Sequence, residues 1–116
     1  MKNKVFFGLG LLTMCAFPFV VNAQDVTQDI TLTKNVSDGL VVKAGSNVKI
    51  NLGGFDVTNE KGGHTILIEK GATATITGTG NVSNSFNKKA PVYNDGTVTI
   101  SGGNYTRHDA AGNSFY

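Results

Sequence analysis

The stretch GSNVKINLGG at residues 45–54 returns as GATATITGTG at residues 71–80 and once more as GTVTISGG at residues 96–103. Extending each copy towards the N-terminus gives three blocks of 13 residues that align without a gap: LVVKAGSNVKINL (40–52), ILIEKGATATITG (66–78) and APVYNDGTVTISG (90–102). Their apolar positions fall into columns. Val42, Ile68 and Val92 form one, Val48, Ala74 and Val98 a second, and Ile50, Ile76 and Ile100 a third. The blocks recur after 26 and then 24 residues, and recurrence at a near-constant spacing is the mark of a repeat architecture.

Within a block, apolar and polar residues alternate as in a strand with one buried face. Val48, Ile50 and Leu52 point one way, Lys49 and Asn51 the other, and the outward positions of the later copies are Thr75, Thr77, Thr99 and Ser101. A glycine-containing turn (KAGSN, EKGAT, YNDGT) separates the first column from the second. A second glycine corner follows the third column and leads to Val57, Val82 or Tyr105. Each period therefore holds two clear strands and a weaker third. Three short strands per turn, with the same residue classes stacking from turn to turn, describe a parallel β-helix solenoid of about three coils. One coil orders too much backbone for the few side chains it buries, so the copies must stack to be stable. The competing arrangement is an antiparallel sandwich with hairpins near residues 53 and 79, but hairpins do not require ungapped blocks at constant period. The columns also place Lys43 beside Glu69 one coil away, a lateral ion pair that supports this register and is a structural contact rather than an acid–base pair.

The N-terminus reads as a targeting segment rather than as part of the repeat. MKNK, an apolar run and the small residues of Val21-Asn22-Ala23 read as a secretory signal peptide over residues 1–23. The run is short for an uncleaved anchor and contains Pro18, and Cys15 follows Met14 rather than the small residue of a lipoprotein site. Once residues 1–23 are removed, eight basic residues face eight acidic ones and no cysteine is left. A balanced chain of this kind gives no reason to expect nucleic acid or, after cleavage, a membrane as partner. It also has no disulfide or thiolate metal site. The domain reading is a signal peptide (1–23), an N-terminal cap or lead-in strand (24–38) and β-helix coils (39–116).

The phrases VVKAGSNVKINLGGFDVTN, HTILIEKGATATITGTGNVSN and APVYNDGTVTISGGNYT resemble the right-handed parallel β-helix repeats of the pectin-lyase-like superfamily, particularly the secreted bacterial and phage-tail type built on a DLNGHTIT phrase. Residues 51–57 stand where that phrase would be, and the resemblance covers roughly residues 30–106. It implies an all-β, right-handed parallel β-helix in which residues 25–36 precede the first full coil. RHDAAGNSFY (107–116) then leads towards another coil, so that the C-terminal end is uncapped or truncated and either self-associates or needs further coils.

Lyases of that superfamily hold Ca²⁺ with several carboxylates and use arginine or lysine as base, and the related hydrolases use clustered aspartates. Here the acids fall mainly in corners and caps, with no column of two, and Arg107 is the sole arginine. No catalytic residue, cofactor or metal ligand is expected, and the reading leans away from an enzyme. His64 and His108 lack metal-ligand spacing, and GATATITGTG lacks the lysine and helix of a phosphate loop. The sequons at Asn35, Asn81 and Asn104 read as corner residues. The candidate glycan-contacting residues are the aromatics Phe86, Tyr93 and Tyr105, with Tyr105 equally suited to the core. The expectation is a secreted or cell-surface β-helix segment with a structural, adhesive or glycan-contacting role, whose partner is an extracellular polysaccharide or cell-surface glycan. The alternative is the N-terminal part of a polysaccharide lyase or glycoside hydrolase with catalytic coils beyond residue 116.

Overall fold

The computed structural model describes residues 24–107. The expected signal peptide and the segment 108–116, with His108, lie outside the described residues. Eleven short strands follow one another with no helix among the described residues: β1 (Gln24–Val26), β2 (Ile30–Thr31), β3 (Leu40–Val42), β4 (Asn47–Asn51), β5 (Asp56–Val57), β6 (Ile66–Ile68), β7 (Thr73–Thr77), β8 (Asn81–Asn84), β9 (Val92–Asn94), β10 (Thr97–Ile100) and β11 (Asn104–Arg107). They pair into three sheets, ordered β1-β3-β6-β9, β2-β4-β7-β10 and β5-β8-β11. Every strand pair in them is parallel. The chain visits the first, second and third sheets in turn and then repeats the circuit one rung further on. This is an all-β, β-helix-like stack of parallel strands, and it excludes the antiparallel sandwich. The segment 24–38 supplies β1, β2 and, through the Val36–Val57 bridge, a contact to the third sheet.

The interior is built from the predicted columns. Val48 pairs with Ala74 and Ala74 with Val98, and Ile30, Ile50, Ile76 and Ile100 follow one another. Val36, Val57, Val82 and Tyr105 form the corresponding column of the third sheet. Ile50, Ile76, Val57 and Val82 are completely buried, as are Leu40, Ile66 and Val92. Burial fades at the last rung: Ile100 is 37% exposed, although Ile50 and Ile76 in the same column are sealed. The outer face of the second sheet carries Asn47, Thr73 and Thr97, Lys49, Thr75 and Thr99, and Asn51 and Thr77 in lateral rows. These polar, β-compatible side chains are what a solvated face requires.

One column needs correction. Val92 does not stack on Ile68. It pairs with Ile66, and the partner of Ile68 is Asn94. The ungapped alignment fails there because the change from a 26- to a 24-residue period is absorbed entirely in the corner after β9. Asn94 makes the shorter corner possible by accepting a 3.0 Å hydrogen bond from the Gly96 N–H through its own Oδ1, the side chain taking the place of a turn of backbone. Gly96 completes it, since a Cβ there would lie against the Ala72 carbonyl and 2.6 Å from that of Glu69.

Candidate functional site

The circuit passes from the third sheet back to the first through its longest corners, residues 58–65 and 85–91. They are held by buried amides. After the inward Val57 and Val82, the next inward positions are Asn59 and Asn84, 6% and 2% exposed. Asn84 Nδ2 donates to the Gly63 carbonyl at 2.8 Å and to Thr65 Oγ1 at 3.0 Å, and its Oδ1 accepts from the Phe86 N–H at 2.9 Å. The fully buried Thr65 hydroxyl passes the chain on, donating to the Ser83 carbonyl at 2.7 Å. Asn59 repeats the device one coil earlier, donating to the His64 carbonyl at 2.9 Å and accepting from the Lys61 N–H at 2.8 Å. Its amide is tucked against Gly39, where φ is +75° and a Cβ would come within 2.8 Å of Asn59 Nδ2 and of the Thr65 carbonyl. Only glycine suits both the backbone angle and the space.

On the outside of this corner, the His64 ring stacks on Tyr93 with centroids 4.3 Å apart and planes 26° from parallel. The Ala90 N–H donates to His64 Nδ1 at 2.9 Å, which places the proton of the neutral imidazole on Nε2. Burial, with Lys89 and then Arg107 nearby, holds the His64 pKa below its ordinary value. Tyr93, on the outward side of β9, is 36% exposed, and so is Phe86 in the adjoining loop. Lys88 follows in that loop with φ of +64°, the one positive-φ residue other than glycine among the described residues.

The three candidate aromatics therefore have different settings. Phe86 and Tyr93 lie on the same corner and the strand that leaves it, whereas Tyr105 sits in the interior column of the third sheet. It packs against the core, its hydroxyl donates to the Gly102 carbonyl at 2.6 Å, and burial pushes its pKa to about 12. Lys43 and Glu69 meet as the columns required, with Nζ 3.2 Å from Oε2, and Glu69 Oε1 also accepts from the Ala44 N–H at 3.0 Å.

The sequons share one outer column of the third sheet. Asn104 Nδ2 donates to Asn81 Oδ1 at 3.3 Å, Asn81 Nδ2 donates to Asp56 Oδ1 at 3.1 Å, and the Asp56 N–H donates to Asn35 Oδ1 at 2.9 Å. Asn-apolar-Ser/Thr is thus the natural phrase of this rung: a ladder residue outside, an apolar residue inside, a hydroxyl outside. Reading each sequon separately missed that ladder. It also missed Asn59 and Asn84, whose signal was present in VTN (57–59) and VSN (82–84), an asparagine at the same step after the third-sheet valine.

Among the described residues, no group of three or more His, Cys, Asp or Glu side chains is placed to hold a metal ion, and no helix is long and apolar enough to cross a membrane. No protein family, no curated protein and no solved structure matches the chain.

Proposed function

We propose that the chain is a secreted or cell-surface segment of a right-handed parallel β-helix of the pectin-lyase-like type, with an adhesive or glycan-contacting role and no catalysis of its own. The observation that carries this reading is the aromatic corner: Tyr93 stands exposed on β9, its ring oriented by the His64 stack, with Phe86 exposed on the adjoining loop. A flat ring held in one orientation offers an apolar face to the C–H side of a sugar ring at little entropic cost. Tyr105 is left out of the contacting set because its ring belongs to the interior column.

Export is part of the reading and rests on residues 1–23. The test is a glycan-array screen of the chain purified after export, with N-terminal sequencing to locate cleavage after Ala23. Binding to a defined class of polysaccharide, weakened at least about tenfold by Tyr93→Ala and unaltered by Thr99→Ala, would support it; a ten-fold loss corresponds to about 1.4 kcal/mol. No binding to any glycan, or binding indifferent to both Tyr93→Ala and Phe86→Ala, would overturn it.

A further inference from the structure

We propose that His64 is a pH-sensitive latch, which holds the 85–91 loop against the preceding coil while its imidazole is neutral and releases it when Nδ1 takes up a proton. The latch is the hydrogen bond from the Ala90 N–H to Nδ1, at 2.9 Å, joining residues 26 apart in the chain. Ala90 is completely buried, so water cannot replace the acceptor in place. A proton on Nδ1 turns the acceptor into a donor, and two N–H groups then point at each other across the same gap.

The surroundings push in the same direction. Lys89, in the loop itself, and Arg107, at the end of β11, both raise the electrostatic cost of an imidazolium at this position. The stack on Tyr93 works the other way, because an aromatic face attracts a cation. Burial and the two cations favour the neutral form in the closed corner. Release is local. The backbone bonds from Thr65 N–H to the Ala90 carbonyl, at 3.0 Å, and from Ile66 N–H to the Pro91 carbonyl, at 2.9 Å, do not involve the imidazole and keep β9 in its sheet. What moves is the loop bearing Phe86, Lys88 and Lys89, next to Tyr93.

The sign follows from proton linkage. The closed corner lowers the pKa of His64 from the ordinary 6.5 that the open state recovers. Closure is therefore fully favoured above that ordinary value. As pH falls below it, the opening equilibrium grows, by at most about tenfold per unit, until the lowered pKa of the closed state is passed.

The experiment is an NMR titration of the full chain, with His108→Ala as the background so that His64 is the one imidazole observed. At pH about 7.5 the ring nitrogens should show Nδ1 without a proton. Below pH about 6.5 the exchange protection of the Ala90 amide, corrected for intrinsic rates, should fall with pH, by at most about tenfold per unit. The Thr97 amide, bonded to the Ala72 carbonyl at 3.0 Å in a different corner, should stay unchanged and serves as the internal reference. His64→Phe keeps a ring against Tyr93 but removes the acceptor, so Ala90 should exchange quickly and without this pH step. A His64 that titrates at or above 6.5, or Ala90 protection that is flat across the titration, would overturn the proposal whether or not His64→Phe folds.

Discussion

Two corners of the same coil turn the chain by opposite means. Between the first and second sheets the chain turns in a few residues, with Gly45 and Gly71 at φ of +85° and +86°, and the side-chain contact across it is the half-exposed Lys43–Glu69 pair. Between the third and first sheets the corner is long, and its backbone groups are met by the buried side chains of Asn59, Thr65 and Asn84. A short turn uses its own backbone bonds and asks little of side chains, whereas a long loop that covers the core must have its inward carbonyls satisfied. The difference teaches where a polar substitution matters: energy is concentrated in the amide corner, and the charged corner mostly sets register.

Asn84→Ala should break that comparison most severely. It removes the amide donor to the Gly63 carbonyl and to the Thr65 hydroxyl oxygen and the acceptor of the Phe86 N–H at once, and a loss of about 2–4 kcal/mol is expected, read from the urea midpoint at constant slope. Thr65→Val keeps the shape but takes the hydroxyl donor from the Ser83 carbonyl and leaves one amide hydrogen of Asn84 only the long 3.5 Å contact with the Ala90 carbonyl, at a cost of about 1–3 kcal/mol. Lys88→Gly sharpens the picture in the opposite direction. Relief of the left-handed backbone, about 1–2 kcal/mol, outweighs the added chain entropy of about 0.5–1 kcal/mol, so thermal unfolding should move slightly upward.

Glu69→Gln should be the smallest effect. The Ala44 N–H and then Lys43 hold the Glu69 pKa below its ordinary 4.5, so its contribution is complete above that value and is lost as pH falls through the lowered one. The variant should flatten only this acid limb, and added salt should bring wild type and variant together, because the pair is exposed and screened. A large loss at neutral pH would show that the charged corner carries more of the fold than its geometry implies.

The repeat of apolar columns was legible because strand side chains alternate with period two and every coil reuses the same positions, so Val48, Ala74 and Val98, or Ile50, Ile76 and Ile100, announce themselves. The Lys43–Glu69 contact follows from the same columns. The Val92 assignment failed because an alignment without gaps has no means of seeing that an asparagine side chain can replace two residues of backbone. The candidate site was legible only as residue types. Tyr93 and Tyr105 look alike in sequence, yet one stands on the outer side of its strand and the other in the interior column.

By itself, then, the sequence determined an all-β chain of stacked, three-strand repeats, since that much depends on local alternation and on a spacing that any reader can count. Tertiary structure alone decided the register of β9, the inward turn of Asn59 and Asn84, and the meeting of His64 with Tyr93 and Ala90. The β9 pairing and the His64 contacts join residues more than 20 positions apart in the chain, as with the 26 between His64 and Ala90. Their partners are fixed by corner length, which the apolar pattern does not encode.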